Sequence, residues 1–303
     1  MNFIVTGGAG FIGSHLTKYL IKKGHDVCVV DNLRRGSFEN LIEIKDKIDF
    51  QEIDILDYEK MENIAKDVDG IFHQAALGSV PQSFKEPEEY YRVNAIGTEN
   101  VLKLGKEFGF KVVYASSSSV YGNQEIFPIK EDAEKKPLNP YGKSKLESEK
   151  FAKKYADMGI KVIGLRYFNV FGVGQNPNYA GVVPKFIERL VQHKPPIIFG
   201  DGNQLRNFTF VDDVVEANIL AFESKIEHAF INIATGVMTS VQELAEIMIK
   251  LSGLSLEPIY EKAREGDIVK SQADTSLAKN LINWEPKTTL EEGLRKIFPK
   301  IEN

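Results

Sequence analysis

Cysteine is nearly missing from this chain: Cys28 stands alone among 303 residues, so no disulfide can form within it. Cys28 falls inside a predicted strand and reads as a small core residue. Long apolar runs are missing too. The longest are strand-length, which leaves no helix able to span a membrane. The N-terminus enters a strand and a glycine-rich turn instead of a basic and then apolar leader, so a cytoplasmic protein is expected. Positive charge is in the minority, with Lys+Arg 38 against Asp+Glu 43 and a net charge of -5. Without a basic run, that balance excludes the electrostatic footprint of a nucleic-acid binder. The His residues do not cluster. His15 belongs to the first helix and His73 ends a strand, neither at metal-ligand spacing with another His or Cys, and no metal is expected. There is no low-complexity segment and no internal repeat. Asn207-Phe-Thr209 matches a glycosylation acceptor, which chance explains. The 43% hydrophobic content suffices for a sizeable core in one large domain or two.

What the chain does have begins at its N-terminus. Asn2–Thr6 is a short β-branched run, read as a buried strand. Gly7-Gly8-Ala9-Gly10-Phe11-Ile12-Gly13-Ser14 follows directly. Phe11–Lys23 then has helical spacing, with Gly24 as its stop. Asp26–Asp31 is a second strand ending in an acid. Gly8, Gly10 and Gly13 fit the dinucleotide fingerprint, and Gly7, Gly10 and Gly13 fit its wider-spaced variant. Such glycines allow a tight turn, close approach of backbone to a pyrophosphate, and helix-on-strand packing. The helix N-terminus then faces the phosphates with its orphan N–H groups. Asp31 suits the hydroxyls of an adenosine ribose and would repel a 2′-phosphate, so NAD is favoured over NADP. Arg34 and Arg35 lie just beyond and weaken that preference slightly.

Strand and helix keep alternating. Strands are predicted near Ile48–Ile53, Gly70–His73, Lys111–Ala115 and Ile160–Leu165, and helices near Tyr58–Lys66, Glu88–Phe108 and Tyr141–Tyr155. This order predicts an α/β fold, a Rossmann-type doubly wound parallel sheet covered on both faces. Ligands bind at the carboxyl ends of such strands. Those ends carry Asp54, the small-residue stretch Gln74-Ala75-Ala76-Leu77-Gly78-Ser79, the run Ser116–Ser119, and Tyr167-Phe168-Asn169.

Tyr141 and Lys145 are four apart on a predicted helix, so they lie on one face. A free phenol has a pKa of about 10, and lowering it to about 7 requires roughly 4 kcal/mol. A nearby ammonium, a serine hydrogen bond and a bound cationic cofactor are the expected sources of that shift. The second half is less regular. Helices are predicted at Gly181–His193, Asp212–Phe222, Val241–Leu251 and Leu290–Phe298, with a strand at Phe230–Ile233. The predicted organisation is a dinucleotide-binding domain over 1–168, rejoined by 211–236, and a smaller mixed C-terminal substrate-binding lobe from 169–210 and 237–303.

Thr6-Gly-Gly-Ala-Gly-Phe-Ile-Gly-Ser, Asp31-Asn-Leu, Asp54-Ile, Ser117 four residues before Tyr121-Gly122, Tyr141-Gly-Lys-Ser-Lys145, Leu165-Arg-Tyr-Phe-Asn169 and Arg264-Glu-Gly-Asp267 occur in order. Together they resemble the extended short-chain dehydrogenases/reductases, specifically the UDP-sugar 4-epimerases, over nearly the whole chain. Ala75–Ser83 and Asn169–Gln175 resemble the subgroup acting on UDP-N-acetylglucosamine. Members confined to UDP-glucose and UDP-galactose usually carry a bulkier lysine-bearing loop at the first stretch.

The resemblance implies an isomerase with NAD as its tightly held cofactor. In it Tyr141, as phenolate, takes the sugar 4-OH proton, with Ser117 on the same oxygen and Lys145 holding the nicotinamide ribose. C4 gives up a hydride and regains it on the other face of a 4-keto sugar. By the same carry-over Gly7, Gly10, Phe11, Ile12, Gly13, Asp31, Asn32, Asp54, Ile55, Gln74, Ala75, Ala76, Asn94 and Tyr167 bind the cofactor. Gly78, Ser79, Ser118, Asn169, Gln175, Val182, Lys185, Phe199, Arg206, Arg264, Asp267 and Ser271 border the UDP-sugar. The relay serine is uncertain by one position within 116–119. Arg206 and Arg264 are chosen for the diphosphate because guanidinium groups pair bidentately with phosphate oxygens. Ser271 stands where these enzymes gate the sugar pocket, and a small residue admits an N-acetyl group. Relatives pair two long helices across a two-fold axis, so a homodimer is expected.

Three other readings compete. A dTDP-glucose 4,6-dehydratase would carry an acid pair where Ser118 and Ser119 stand. A UDP-glucuronate epimerase or decarboxylase is a closer rival. A non-catalytic NAD-binding sensor could dispense with Tyr141 and Lys145, both of which are kept here.

Overall fold

A computed structural model describes residues 1–176, 181–263 and 270–298. Its centre is a parallel sheet of seven strands: β1 (Asn2–Thr6), β2 (Asp26–Val30), β3 (Asp49–Gln51), β4 (Gly70–His73), β5 (Lys111–Ser117), β6 (Val162–Tyr167) and β7 (His228–Ile233). They lie in the order β7-β6-β5-β4-β1-β2-β3. The order reverses between β1 and β4, which opens a crevice at their carboxyl ends.

Period-two side-chain alternation divides the core. Phe3 and Val5 of β1, Val113 of β5, and Ile163 and Leu165 of β6 pack on one face against Leu16 and Leu20 of α1 (Phe11–Lys22). Ile4, Val112, Tyr114 and Val162 pack on the other against Val101 and Leu104 of α2 (Gly97–Phe108) and Ala152 of α3 (Pro140–Ala156). Neighbouring residues of one strand thus serve two opposite layers. Each such aliphatic side chain contributes roughly 1.5–3 kcal/mol on burial.

Helices α4 (Val182–Val191), α5 (Val211–Glu223) and α6 (Val241–Ser252) follow. Val214, Val215 and Ala221 of α5 complete the first face. The C-terminal end of α5 is fastened by Lys111, the buried first residue of β5. Its Nζ donates to the carbonyls of Ala221, Phe222 and Ser224 at 2.7, 3.0 and 2.8 Å. These are carbonyls that a helix end leaves unpaired. A separate apolar cluster joins Val183, Phe186 and Leu190 of α4 to Leu244, Ala245 and Met248 of α6. Beside it, Ile197–Phe199 pairs in parallel with Ile259–Glu261.

Two elements differ from the sequence expectation. The helix expected over Glu88–Phe108 is interrupted: Pro87–Tyr90 is followed by a π-turn, Tyr91–Ile96, before α2 begins. The cause is Asn94, which turns inward to bond the backbone of Leu77 in both directions. The small-residue stretch after β4 is followed by a helical turn that the sequence did not suggest, Val80–Ser83, capped by Ser79.

Candidate active site

The turn after β1 is closed by contacts only glycine permits. Gly7 has φ +67, and a Cβ there would lie 2.6 Å from the amide nitrogen of Ala75, beyond β4. A Cβ on Gly13 would lie 2.1 Å from the carbonyl oxygen of Gly7. Gly10 caps α1 with no side-chain hydrogen bond, so the first N–H groups of the helix meet no capping side chain. That arrangement is an anion cradle.

Asp31 ends the next strand and is buried. Its Oδ2 accepts from Ala9 N at 3.0 Å and its Oδ1 from Leu33 N at 2.8 Å. Burial raises its pKa while these two N–H groups oppose the rise. Each oxygen has a lone pair left for a further donor, as a ribose diol would supply. Asn32 donates to Asp54 at 2.9 Å, and the Ile55 carbonyl accepts from Asn100. Phe11 and Ile12 open α1 and pack against the α4–α6 cluster. The two arginines after Asp31 are engaged elsewhere. Arg34 pairs with Glu89 and Glu86, and Arg35 bonds Gln82. These contacts join the loops after β2 and β4, the two strands flanking β1. The glutamates offset Arg34 as a counter-charge for a 2′-phosphate.

A continuous hydrogen-bonded chain runs beneath the crevice. Thr6 Oγ1 meets His73 Nδ1 at 2.6 Å, and His73 Nε2 meets Thr98 Oγ1 at 3.0 Å. Thr98 donates to the Asn94 carbonyl at 2.6 Å. Thr98 therefore accepts from Nε2–H, and Nδ1 accepts from Thr6. Burial, with Lys145 adding, lowers the His73 pKa to about 3, so the imidazole is neutral. Asn94 Nδ2 also donates to Ser144 Oγ at 2.9 Å, and Ser144 to the Tyr141 carbonyl at 2.8 Å. The first turn of α3 is thereby bonded to the turn after β4. Gln74 and Tyr167 are likewise brought together, both bonded to Asn218 of α5.

Asn139 caps α3 by accepting from Gly142 N at 2.8 Å, with Pro140 in the first turn. That start sets Tyr141 at the mouth of the crevice, its ring edge-on to Tyr90. The Ser117 hydroxyl, which accepts from Ser119 N at 3.1 Å, is near enough to Tyr141 to lower its pKa. Ser116 instead donates to Glu149 at 2.6 Å, so Ser117 is the serine that faces Tyr141. Lys145 is buried and its Nζ donates to the Ala115 carbonyl at 2.8 Å. Among the described residues it has no second acceptor, which leaves room for hydroxyls of a bound ligand.

The expectation that Lys145 acidifies Tyr141 is not met in this state. Burial raises the Tyr141 pKa, the neighbouring Ser117 hydroxyl opposes it, and Tyr90 adds to it. The reason is that the Lys145 ammonium is turned to β5. Burial in turn lowers Lys145 to about 8, with Glu149 opposing.

The expected sugar-side residues are spread over several elements. A Cβ on Gly78 would meet no atom within 4 Å, so open space adjoins it, and the Ser79 carbonyl accepts from Tyr90 Oη at 2.7 Å. Ser118 opens the short turn Ser118–Val120. Asn169 holds a φ of +23 and donates to the Asn207 carbonyl. Asn207 Oδ1 accepts from Ala273 N, and the Leu205 carbonyl accepts from Ser271 N. Asn169, Arg206 and Ser271 thus share one bonded stretch. Asn207 itself is fully buried, which closes it to glycosylation. Gln175 Nε2 donates to the Val170 carbonyl, while its buried Oε1 has no partner among the described residues. Val182 and Lys185 stand in the first turn of α4, and Phe199 ends its short strand. Arg264 and Asp267 lie outside the described residues.

The sequence reading missed the buried pair beneath the site. Arg166 Nε and Nη2 donate to the two oxygens of Glu149 at 2.8 and 2.7 Å. The available signal was Glu149 one turn beyond Lys145, on the same helix face as Tyr141.

Residues 3–234 match the NAD dependent epimerase/dehydratase family. A putative UDP-glucose 4-epimerase of Methanocaldococcus jannaschii is 41% identical over 305 residues, covering 99% of this chain and 98% of its own length. A UDP-N-acetyl-alpha-D-glucosaminuronate decarboxylase of Bacillus cytotoxicus is 35% identical, covering 99% and 98%. The solved structure of a UDP-N-acetylglucosamine 4-epimerase from Methanobrevibacter ruminantium, in complex with UDP-N-acetylmuramic acid, superposes with a TM-score of 0.94 at 38% identity, covering 98% of this chain and 96% of that one.

The Gly13 contact generates a test. NAD is expected to be released when the purified protein is denatured, and Gly13→Ala is expected to arrive without it, because the new methyl forces the turn open. A full complement of nucleotide in Gly13→Ala would contradict this account of the cradle.

Proposed function

This chain belongs to the NAD-dependent epimerase/dehydratase family, and within it we propose that it inverts C4 of a UDP-hexose, with UDP-N-acetylglucosamine and UDP-N-acetylgalactosamine as the preferred pair. The observation that carries this reading is the grouping of Tyr141, Ser117 and Lys145 at the carboxyl end of β5, with Ser118 and Ser119 where a dehydratase would need an acid pair.

NAD, when bound, would supply a reversible acceptor for the hydride of C4. The glycine turn, Asp31 and Lys145 are the residues that would hold it. Tyr141 exchanges a proton with the sugar 4-oxygen. Ser117 opposes the effect of burial on Tyr141 and so favours the phenolate. The Asn94–Ser144 bond fixes the height of Tyr141 in the crevice. Asn169 and Arg206 border the sugar diphosphate from the opposite side. The small side chain of Ser271 and the open space beside Gly78 suit an N-acetyl group, and this favours the acetylated sugar. The same space does not select for a carboxylate at C5, so decarboxylation and UDP-glucuronate epimerisation rank second.

We also infer a homodimer. Tyr58, Lys103, Glu107, Lys154, Tyr155 and Met158 line an open recess across α2 and α3, the two long helices of the outer layer. Light scattering at micromolar concentration is expected to give twice the chain mass, and a monomer mass would refute the pairing.

Tyr141→Phe is expected to lower turnover by ~10²–10⁴-fold, the usual worth of a general acid–base group. NAD content and fold should be retained, since only one hydroxyl is lost. Near-native turnover would remove Tyr141 from the mechanism.

Ser271→Tyr tests the sugar assignment. Ser271 is buried, and overpacking such a position costs ~1–3 kcal/mol. That corresponds to roughly 5- to 150-fold lower activity with UDP-N-acetylglucosamine at about 1.4 kcal/mol per tenfold. UDP-glucose should be much less affected. Equal losses with both sugars would place Ser271 away from the acetyl group.

A further inference from the structure

Three consecutive residues of β5 meet three residues spaced one turn apart on α3. Ser117 lies beside Tyr141, the Ala115 carbonyl accepts from Lys145, and Ser116 donates to Glu149. Positions i, i+4 and i+8 of a helix share a face, so Tyr141, Lys145 and Glu149 form one row. Glu149 ends the row away from the crevice, 4% exposed, and is gripped bidentately by Arg166. Arg166 lies beside Ser116 in the β5–β6 register and is 2% exposed. Its Nη1 donates onward to Tyr121 Oη at 2.7 Å and the Glu131 carbonyl at 2.9 Å.

Burying two charges is expensive, and apolar residues of similar volume often serve stability as well or better. Fold stability is therefore a weak account of this pair. Its place in the row supplies a better one. We propose that Glu149, fixed by Arg166 and Ser116, is a positioning residue for the Tyr141–Ser117–Lys145 site, holding α3 in register with the end of β5 and setting a carboxylate one helical turn from Lys145.

The surroundings of Lys145 support this. Among the described residues Glu149 is the charged group that opposes the effect of burial on it. His73, facing from β4, is neutral across the working range. Tyr141 on the same helix and Tyr114 on β5 are both raised by burial and stay protonated. Arg166, facing from β6, has its charge matched by Glu149. With Lys145 already lowered to about 8, loss of the carboxylate moves its deprotonation further down. The sign follows from removing a negative neighbour of a cation.

The inference rests on the functional reading above in one respect: that Lys145 works as an ammonium. Glu149→Gln keeps the shape and an acceptor for Ser116 and Arg166 while removing the charge. The Lys145 Nζ resonance, identified by its loss in Lys145→Arg, is followed by ¹⁵N NMR across pH in the purified protein. Its midpoint is expected about one unit lower in the variant. The alkaline limb of kcat/KM should move with it, and the acidic limb should stay. Where the single variant fails to fold, Glu149→Gln with Arg166→Met leaves no buried unpaired charge and should show a smaller downward shift, because a cation is removed along with the carboxylate. An unmoved midpoint, or a uniform loss of activity at all pH values, overturns the proposal. So does loss of the fold in both variants, which would make the pair purely structural. Should no UDP-sugar be turned over by the native protein, the functional reading fails while the NMR titration still decides the role of Glu149.

Discussion

The height at which α3 sits against the end of β5 governs everything else in the site. A helix can slide or turn against a sheet at little cost if only methyl groups meet. Here specific polar groups meet, and each must find its one partner. Ser144 is held from the β4 side through Asn94, and Glu149 from the β6 side through Arg166. Asn139 fixes where the helix begins. Displacement in either direction would leave buried donors unpaired, at about 1–3 kcal/mol each.

Burial and charge are balanced differently along the crevice. His73 is deep, neutral and serves as a link between Thr6 and Thr98. Tyr141 is held protonated by its packing. Lys145 keeps a charge that its surroundings resist, and Asp31 does the same with the opposite sign at the other end of the cradle. The two groups whose charges burial opposes are thus those with hydrogen-bonding capacity left over. A dinucleotide with two ribose diols matches that pair of unmet needs, and the capless start of α1 between them matches its phosphates.

The sheet was legible because its strands are β-branched runs with a period of two and its turns carry glycine. Tyr141, Lys145 and Asp31 were legible because their spacing alone implies a shared face or a strand end. The direction of the Tyr141 shift was not, since helical adjacency does not say which way a flexible lysine turns. Lys145 bonds Ala115, whose distance in sequence hides it. Glu149–Arg166 and Lys111–α5 were hidden for the same reason: they join elements far apart in the chain. Ser79 as a cap and the interrupted helix at Asn94 required knowledge of what Tyr90 and Leu77 touch.

The π-turn at Tyr91–Ile96 makes chain length itself part of the design. Such a turn is, in effect, one residue inserted into an ordinary helix. Removing any one of these residues would restore regular winding and rotate Pro87–Tyr90 by about 100° relative to α2. Tyr90 would swing off the Ser79 carbonyl, and Asn94 would leave Leu77. Substitutions here change a contact, but a deletion rephases two elements at once. Asn94 apart, the segment should therefore tolerate drift in residue identity far better than drift in residue count, the reverse of an ordinary surface connection.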